Sequence, residues 1–544
     1  MSGEHGPGRL PRSVPVLIAG GGPVGLAAAV ELGRRGVRCL VVEPRPAVSR
    51  ARPRCKTLNV RTMEHLRRWG LAGRLRERAP LPASWSQDVV FCTSLAGREL
   101  HRFSGVLGLV PEGERFAETG QQAPQYVLEE VLREAVGELA ACELVLGSRV
   151  AALSQDGDAV TVTIEDAHGG RATVTADYVI GCDGPRSTVR EQIGASYRGG
   201  SALRPNFGLV FRSPGLWDHV RHGPAVQFWP VNPAAPALLG PLDRRDTWWA
   251  IAFGVDRETG EREAHRLIDA AAGRPVQAEV LSTDPWTARM QIADRMRLGR
   301  VFLAGDAAHL NPPFGGHGLN TGIGDAVDLG WKLAAVLGGW GGPALLASYE
   351  AERRPVQERV VAEATANMRV LSTELLAGNL DDPDDAGATA RRAAGERIRQ
   401  TKTAEFHSLD LVLDLQIGPS PLLPEGAGGT VGRRLPHLFL DDGRSLYDLL
   451  GPGLTLLTAG RGAVEDAIEE AARARGVPLA VVDLSALTAR DVAAHLGARR
   501  VLVRPDQVVG WLGDGALPDA RGLVDTLSGG PPAPARPRSG PDRR

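Results

Sequence analysis

A chain of 544 residues is too long for one hydrophobic core, and its length alone predicts roughly three to four domains. Hydrophobic residues make up 43% of the chain and charged residues 23%, as in an ordinary globular protein. A formal net charge of −1 gives no bulk attraction to nucleic acid or to an anionic membrane, so neither partner is expected.

The cysteines are scattered and include no Cys-x-x-Cys pair. Such a set favours reduced thiols in a cytoplasm over a disulfide framework, and no metal site is predicted. The N-terminal segment lacks the apolar core of a signal peptide, and glycines interrupt the apolar run at 14–32. We therefore expect a soluble, cytoplasmic protein. The cysteines are Cys39, Cys55, Cys92, Cys142 and Cys182.

The first predicted unit combines a short buried strand with a glycine-rich turn and a helix. The apolar run Val14–Ala19 leads into Gly20-x-Gly22-x-x-Gly25, and Glu43 follows the next apolar run. In a dinucleotide-binding βαβ unit these glycines allow the tight turn, the approach of a pyrophosphate and close helix packing. An acidic residue at this distance accepts a ribose hydroxyl, which favours FAD or NAD over NADP. The predicted contacts are Gly20, Gly22, Pro23, Gly25, Glu43 and Arg45.

Two further segments carry polar residues beside predicted elements. Arg52-Pro-Arg54 precedes the helical stretch Asn59–Trp69, and a basic surface turn is one interpretation of it. The apolar strand Tyr178–Cys182 ends in Asp183-Gly184, with Ser187 shortly after. A turn in which Ser187 caps a helix explains that pattern without any ligand. Neither segment assigns a function on its own.

The segment after residue 300 is the most specific part of the sequence. The strand Arg300–Ala304 is followed by Asp306, by Pro312-Pro313, and by glycines ahead of a helix that we expect to begin near Asn320. The carboxylate can accept hydrogen bonds from hydroxyls, and the prolines hold a rigid turn. The glycines let the main chain pass close to a flat ring, and the helix N-terminus favours a negative charge.

Residues 305–333, GDAAHLNPPFGGHGLNTGIGDAVDLGWKL, resemble the second flavin-contacting motif of class A aromatic hydroxylases, the para-hydroxybenzoate and phenol hydroxylase family. The resemblance covers nearly the whole chain and implies FAD as the cofactor. It places the arginine pair near the adenosine and pyrophosphate, Gln125 of a predicted helix near the ribityl-phosphate, and the Asp-Gly turn near both FAD and NAD(P)H. The further contacts that it implies are Arg52, Arg54, Gln125, Asp183, Gly184, Asp306, Pro313, Gly316, Gly318, Leu319 and Asn320.

The family chemistry implied is reduction of FAD by NAD(P)H, addition of O₂ at flavin C4a, and transfer of one oxygen from that hydroperoxide to an electron-rich ring. No second strand-Gly-x-Gly-x-x-Gly-helix unit occurs, so a separate nicotinamide domain is not expected. The resemblance implies that NAD(P)H visits transiently. Pro313, Phe314 and Gly315 form the predicted catalytic loop at the flavin C4a side. His309 and His317 are candidates for proton transfer, with loop packing as the alternative.

The expected fold class is α/β plus α+β: a Rossmann-like FAD-binding domain, an inserted β-sheet substrate domain and a C-terminal thioredoxin-like domain. The last is implied by strands arranged around an Ala-rich helix at 463–474, as in phenol-hydroxylase-type members. Because this domain contains no cysteine, a redox role is excluded, and a role in packing or in a dimer interface remains. A homodimer therefore stays open. The predicted boundaries are 12–83, 115–198 and 290–375 for the FAD-binding domain, 84–114 and 199–289 for the substrate domain, 376–429 for an exposed helical connector, 430–528 for the thioredoxin-like domain and 529–544 for a disordered tail.

The β-rich segment 199–289 is expected to cover the substrate, although strand alternation sends about half of its side chains elsewhere. Abundant Arg, Ala, Gly and Pro beside only three lysines indicate a high-GC bacterial coding sequence, which favours a phenolic or quinoid polyketide substrate. Simple phenols or hydroxyphenyl acids, Baeyer–Villiger oxidation, epoxidation, and an FAD oxidoreductase without oxygen insertion stay open. The candidate pocket residues are Phe211, Phe228, Trp229, Trp249, Phe253 and Phe314.

Overall fold

The computed structural model describes residues 10–54, 56–234, 236–368, 375–376, 378–424 and 428–531. Parts of the predicted segments therefore lie outside the described residues: Cys55, position 235 of the substrate domain, positions 369–374 of the FAD-binding domain, positions 377 and 425–427 of the connector, and 532–544 of the tail.

Helices occur along the whole length of the described chain. None of those in the described ranges is both long and apolar enough to cross a membrane. They are α1 (Pro23–Gly33), α2 (Val60–Arg68), α3 (Ala72–Arg78), α4 (Gln125–Glu138), α5 (Thr188–Gln192), α6 (Arg257–Ala272), α7 (His317–Leu337), α8 (Pro343–Met368), α9 (Asp385–Phe406), α10 (Leu409–Leu413), α11 (Ala463–Ala474), α12 (Val492–Leu496) and α13 (Ala520–Leu527).

The strands in the described ranges belong to three larger sheets and one short pair. They are β1 (Ser13–Ala19), β2 (Cys39–Glu43), β3 (Thr57–Leu58), β4 (Val89–Cys92), β5 (Glu99–Phe103), β6 (Gln121–Gln122), β7 (Cys142–Leu146), β8 (Ser148–Gln155), β9 (Val160–Asp166), β10 (Arg171–Gly181), β11 (Tyr197–Arg212), β12 (Gln227–Pro230), β13 (Ala237–Pro241), β14 (Thr247–Phe253), β15 (Glu279–Ala293), β16 (Arg297–Leu298), β17 (Val301–Leu303), β18 (His309–Leu310), β19 (Leu454–Thr458), β20 (Leu479–Asp483), β21 (Arg500–Val503) and β22 (Val509–Gly513).

The first sheet has a parallel centre in the order β17-β10-β1-β2-β7, with β16 at one edge and the antiparallel pair β8–β9 attached to β10. Val16, Leu17 and Ile18 of β1 are fully buried. Such continuous apolar runs are typical of parallel strands covered on both faces. Here the sequence predicted β1, α1, β2 and the end of β10 to within a few residues.

The second sheet has the order β18-β15-β11-β14-β13-β12-β4-β5 and is antiparallel except between β12 and β4. It contains the predicted β-rich segment, but that segment also holds the long helix α6. The Asp256 side chain caps α6 by accepting the Thr259 N–H at 2.8 Å, and Gly273 ends it at φ +83°. Charged residues dominate the helix and obscure the spacing of its few buried apolar residues, such as Leu267 and Ile268.

Helix α9 differs from the exposed connector that the sequence suggested. Its N-terminus is capped by Asp384, whose carboxylate accepts the Gly387 N–H at 2.8 Å. One face of the helix is exposed, whereas Ile398, Lys402 and Phe406 are buried. Ile398 and Phe406 belong to an apolar cluster with residues of β4, β5 and β12, so α9 is part of a core.

The chain divides into two compact units, Met1–Val327 with Val356–Leu415, and Asp328–Pro355 with Gln416–Arg544. The second unit contains the third sheet, in the order β20-β19-β21-β22. Strand β19 is parallel to β20 and antiparallel to β21, and α11 and α13 supply apolar side chains to the same core. The Ala-rich helix lies at the predicted residues, Ala463–Ala474.

Five charged side chains are buried together inside the second unit. Arg504 donates to both carboxylate oxygens of Glu352 at 2.8 Å and to Asp506 at 2.6 Å. Lys332 donates to Glu352 at 2.6 Å and to Asp328 at 2.9 Å. Burial raises the pKa of Asp328 to about 7, helped by the nearby carboxylates and opposed by Lys332. We refer to Asp328, Lys332, Glu352, Arg504 and Asp506 as the buried charge cluster.

Candidate active site

Parallel strands bring the predicted motifs to one edge of the first sheet. Strands β1 and β10 pair up to Ala19 and Gly181, and Gly181 pairs with Leu303 of β17. Strand β2 runs beside β1 and ends at Glu43. The segments that follow these strands therefore lie side by side at the carboxyl edge, where open α/β sheets bind ligands.

The turn after β1 forms a cradle lined by backbone. Gly20 has φ +101°, a conformation that favours glycine, and a Cβ added at Gly25 would lie 1.9 Å from the Gly20 carbonyl oxygen. Gly22 caps α1 without a side-chain hydrogen bond, and Pro23 opens the helix. Apart from its chain neighbours, no atom of the described residues lies within 4 Å of a Cβ built on Gly22. This open space at a helix N-terminus suits a pyrophosphate.

Glu43 is buried beside this cradle and is held by its neighbours. One carboxylate oxygen accepts the Gly21 N–H at 2.7 Å, and the other accepts the Arg45 backbone N–H at 3.0 Å and its Nε at 2.6 Å. Arg45 also donates to Glu129 at 2.9 Å. A carboxylate has about four acceptor sites, so capacity for a ribose hydroxyl remains, and that contact stays a prediction.

The two arginines of the predicted pair differ in their contacts and backbone conformation. Arg52 is half exposed and forms an ion pair with Asp284 at 3.2 Å. Arg54 has φ +41°, which is uncommon for a residue with a side chain and is typical of functional turns. The Gln125 backbone N–H donates to Pro53 at 3.0 Å, which places the start of α4 against this turn.

The Asp183 carboxylate is used inside its own turn. It accepts the Ser187 hydroxyl and, at 3.0 Å, the Val189 N–H, while Ser187 caps α5. Gly184 has φ +78°. The helix-capping interpretation therefore describes the side chain, and a contact of this turn with FAD stays a prediction that its backbone would have to fulfil.

Tyr197 connects this turn to the next one and was not recognised from the sequence. The Arg190 guanidinium lies over the Tyr197 ring at 3.9 Å from its centre. The Tyr197 hydroxyl donates to the backbone carbonyl of Asp306. Because Tyr197 stands alone outside any motif, only the fold reveals this connection.

Asp306 offers an unused carboxylate at the end of β17. Within the described part of the chain no donor hydrogen-bonds to it. Burial raises the pKa of Asp306, whereas the charges of His309 and Arg54 lower it. Such a partly buried acceptor fits the hydroxyl groups of a ribityl chain.

Behind Asp306, a buried polar group holds the turn in place. The Gly305 N–H donates to Asp325 at 3.1 Å, and His309 Nε2 lies 2.9 Å from the same carboxylate oxygen. The Gln357 amide donates to Asp325 at 3.2 Å. This placement favours the packing role of His309 over proton transfer. Neither Asp325 nor Gln357 was predicted, because their hydrogen bonds depend on how α7 and α8 pack against this turn, which the sequence does not show.

The predicted helix of the most specific segment begins at His317, three residues before Asn320. Gly315 and Gly316 have φ +82° and +68°, so the chain reverses there and the helix starts directly afterwards. Gly318 and Leu319 consequently lie in the first helical turn, and Pro313 stands in the loop before it.

The Asn320 side chain hydrogen-bonds to other residues of the protein. Its Nδ2 donates to the carbonyl of Gly316 at 2.7 Å and to that of Thr57 at 3.0 Å. Its Oδ1 accepts the Asn59 N–H at 3.0 Å and the Thr62 hydroxyl at 2.7 Å. With both amide donors engaged, Asn320 fixes the loop and any cofactor contact there would come from the backbone.

Several buried polar atoms at this edge have no partner in the described part of the chain. They include both polar atoms of the Asn311 amide and Nε2 of His317. Since buried polar groups are nearly always hydrogen-bonded in native proteins, their presence fits a bound group that offers donors and acceptors. The hydroxyls and the polar ring edge of FAD have this character, so the residues present fit FAD.

His317 provides a prediction on pH. Burial lowers its pKa to about 4, below an unfolded value of about 6.5, so folding favours the neutral ring. The stability it contributes is complete above pH 6.5 and falls as the pH drops toward 4. From about pH 7.5 to about pH 5, we expect a loss of about 2 kcal/mol in wild-type protein that His317→Gln does not show. Urea unfolding followed by tryptophan fluorescence measures it. The exposed His168→Gln should retain the wild-type slope, and equal slopes in all three proteins would contradict the prediction.

The candidate pocket residues fall into two groups. Trp229, Phe253 and Phe314 form a triangle with ring centres 6.0 to 6.3 Å apart, and Trp249 belongs to the same buried cluster. Phe314 comes from the loop before α7, so these rings stand at the loop that is predicted to face the flavin. We call Trp229, Trp249, Phe253 and Phe314 the loop-side aromatic cluster.

Phe211 and Phe228 do not belong to it and are withdrawn as pocket candidates. Both pack with α6 residues such as Leu267 in a separate cluster. The reason is strand alternation, because successive side chains point to opposite faces of a sheet. Phe228 and Trp229 are adjacent in β12, and only one of them can face the loop.

Comparisons with known families cover most of the chain. The family described as FAD binding domain matches residues 13–364. The family described as aromatic-ring hydroxylase, C-terminal, matches residues 428–530.

Individual relatives align over nearly the full length. Tetracenomycin B2 monooxygenase-dioxygenase of Streptomyces olivaceus is 32% identical, over 94% of this chain and 97% of its own. The 4-methyl-5-nitrocatechol 5-monooxygenase of a Burkholderia species is 33% identical, over 92% and 94%. A solved aklavinone-11 hydroxylase, in a ternary complex with FAD and aklavinone, superposes with a TM-score of 0.81 at 29% identity, over 94% and 98%.

Proposed function

Since this chain belongs to the family of FAD-dependent aromatic-ring hydroxylases, we propose that it inserts one oxygen atom from O₂ into a polycyclic aromatic polyketide, with NAD(P)H as the reductant. When bound, FAD supplies the redox chemistry with NAD(P)H and O₂. The protein then has to hold the cofactor, orient an aromatic ring and exclude water.

The residues that would hold FAD are distributed along one edge of the first sheet. The backbone around Gly22 and the N-terminus of α1 would bind the pyrophosphate, and Glu43 the adenosine ribose. Asp306 would accept hydrogen bonds from the ribityl hydroxyls. The N-terminus of α7, at His317, would favour negative charge on the reduced ring, which is an electrostatic contribution that needs no titrating residue.

The position of Phe314 is the observation that supports an aromatic substrate. It belongs both to the loop before α7 and to the loop-side aromatic cluster, with ring centres of Trp229 and Phe253 within 6.3 Å. A flat apolar substrate stacked among these rings would lie beside the flavin-side loop formed by Pro313, Phe314 and Gly315. These three residues remain our candidates for the catalytic loop.

A monocyclic phenol is the second candidate, favoured by the similarity to a nitrocatechol monooxygenase. The similarity to tetracenomycin B2 monooxygenase-dioxygenase favours the polycyclic substrate, and each additional ring of a substrate would add apolar contact with the loop-side aromatic cluster. Baeyer–Villiger oxidation and epoxidation would use the same cofactor site but would oxidise a ketone or an alkene in place of a phenolic ring. An FAD oxidoreductase without oxygen insertion would release peroxide and leave its substrate without added oxygen.

The test is a turnover assay with the FAD-loaded protein, NADPH and ¹⁸O₂ over a panel of phenolic anthraquinones, tetracenes and simple phenols. We expect one ¹⁸O atom in the product of a polycyclic substrate, by mass spectrometry. Product formation with simple phenols alone would support the second candidate. NADPH consumption with peroxide release and no oxygenated product across the panel would contradict both.

Four finer assignments are part of this proposal. The strand order β20-β19-β21-β22, with α11 between the two parallel strands, supports a thioredoxin-like fold for 430–528 with no redox role. The predicted domain boundaries, a cytoplasmic location and a homodimer are retained as proposals. Gel filtration with light scattering tests the last of these.

A further inference from the structure

An ion pair lies buried where an apolar core would be expected. Lys402 and Glu405 of α9 are 2.7 Å apart and are exposed by 0% and 2%. Pairs at this helical spacing normally lie on a solvated face, as Arg399 and Glu396 do in the same helix. Desolvating two charges is unfavourable, and apolar residues of similar volume often give a more stable core. Stability alone therefore does not explain the pair.

The ammonium of Lys402 stands inside the loop-side aromatic cluster. Its Nζ lies 4.9 Å from the ring centre of Trp229 and 5.8 Å from that of Phe314. Both distances are within the range of cation–π contact. Helix α9 thus carries a fully buried cation to the place proposed for the substrate.

Two hydrogen-bond donors in this cluster have unused capacity. Lys402 donates to Glu405 and, at 2.8 Å, to the backbone carbonyl of Asn367, which engages two of the three N–H groups of an ammonium. The third has no acceptor within the described part of the chain. The indole Nε1 of Trp229 is also buried without a partner there. Two neighbouring unpaired donors, one of them cationic, match an oxygen acceptor that carries negative charge.

Glu405 connects the pair to the flavin-side loop. The Gly315 backbone hydrogen-bonds to the Glu405 carboxylate. Burial raises the pKa of Glu405, whereas Lys402 and this hydrogen bond lower it. Glu405 therefore fixes both the Lys402 ammonium and the residue that follows Phe314. A ligand bound to Lys402 would be held in a set position relative to this loop.

We propose that Lys402, positioned by Glu405, recognises the substrate through an ionised oxygen on or beside its aromatic ring, with the Trp229 N–H as the second donor. This inference rests on the proposed function and narrows its substrate class to aromatic compounds with a phenolate, enolate or carboxylate oxygen. An aryl ether in that position would offer the cation only a weak, neutral acceptor, which disfavours such a substrate.

The test variant is Lys402→Met combined with Glu405→Gln. Removing both charges leaves neither one uncompensated, and the Gln oxygen can still accept the Gly315 N–H. The matched control is Arg399→Met combined with Glu396→Gln, which removes an exposed pair of the same spacing from the same helix. FAD content and circular dichroism establish that both double variants are folded and loaded.

Three probes distinguish the chemistry: alizarin, which has two phenolic hydroxyls, its dimethyl ether, and anthraquinone-2-carboxylate. Binding to the FAD-loaded proteins is followed by tryptophan fluorescence, and ionised alizarin by its absorbance beyond the flavin bands. We expect wild type and control to bind at least one of the two acidic probes about tenfold to a hundredfold more tightly than the double variant does. Affinity for the ether should change by less than about threefold.

The acidic probe that the double variant binds more weakly than wild type identifies the substrate oxygen recognised by Lys402 as phenolic or carboxylic. An equal loss for all three probes would mean that the pair only supports the fold, and no loss would mean that it does not touch the ligand; either result overturns the inference. Both leave the proposed function intact as long as wild-type protein oxygenates an aromatic substrate. Failure of wild type to bind or oxygenate any aromatic compound would instead reject the proposed function, and this inference with it.

Discussion

An alanine at Gly25 is expected to remove FAD from the protein while leaving it folded. The added Cβ would lie 1.9 Å from the carbonyl oxygen of Gly20, so the turn after β1 has to open. Overpacking of this kind costs typically about 1 to 3 kcal/mol, and here it displaces the backbone that would bind the pyrophosphate. FAD affinity should therefore fall by about tenfold to a hundredfold or more. The ratio of flavin to protein absorbance after gel filtration measures retention, and flavin fluorescence titration measures affinity.

Gly137→Ala is the matched control in α4, since a Cβ built there meets no atom within 4 Å in the part of the chain that is described, its own helical backbone aside. It should keep the full FAD content and gain up to about 1 kcal/mol of stability, because glycine is unfavourable inside a helix. If Gly25→Ala retains FAD as tightly as Gly137→Ala does, the cradle is not the pyrophosphate site. The circular dichroism of the two variants should be the same.

Arg504→Leu is expected to lower the free energy of unfolding of the second unit by about 3 to 5 kcal/mol. Arg504 donates to Glu352 and Asp506 in the buried charge cluster. Without it, Lys332 alone faces three buried carboxylates. Breaking one side of a buried pair has this effect because the remaining charges keep their desolvation cost. Urea unfolding gives the total change, and hydrogen exchange of the β19 and β21 amides locates it.

Arg473→Leu is the control, because Arg473 and its partner Glu470 are exposed in α11. Surface pairs contribute about 0 to 1 kcal/mol, so that variant should remain close to wild type. Similar losses in the two variants, or protection of β19 and β21 unchanged in Arg504→Leu, would show that the buried charge cluster is not a major source of stability. Substitution of Glu352 by Gln in the Arg504→Leu background should recover part of the loss.

Local sequence signals predicted those parts of the fold in which neighbouring residues determine the structure. The turn at Gly20 and helix α11 lie where the sequence placed them, because glycine spacing and helix-forming composition act over short distances. Helix α6 was missed although Asp256 and Gly273 mark its ends, because charged residues hide its apolar face. The start of α7 was misplaced by three residues, since the reversal at Gly315 and Gly316 allows an earlier beginning.

The candidate site was predictable only where a motif carries it. Asp306 follows a recognisable strand, whereas Lys402 looked like part of an exposed, charged helix. Its burial depends on contact with Trp229, far away in the sequence, which composition cannot reveal. Phe228 and Trp229 show a second limit, because alternation predicts that they face opposite sides without saying which side the loop occupies. Pairings between distant elements decide both questions.

The scarcity of lysine has a practical consequence for chemical modification. Lys332 and Lys402 are fully buried, whereas Lys56 is partly exposed and its Nζ lies 3.7 Å from the ring centre of Trp249. Acylating reagents, amine cross-linkers and amine-coupled sensor surfaces would therefore reach internal lysine in the folded enzyme mainly at Lys56, beside the proposed aromatic pocket. Immobilisation by that route would obstruct the pocket, and acylation of Lys56 offers a label for its occupancy.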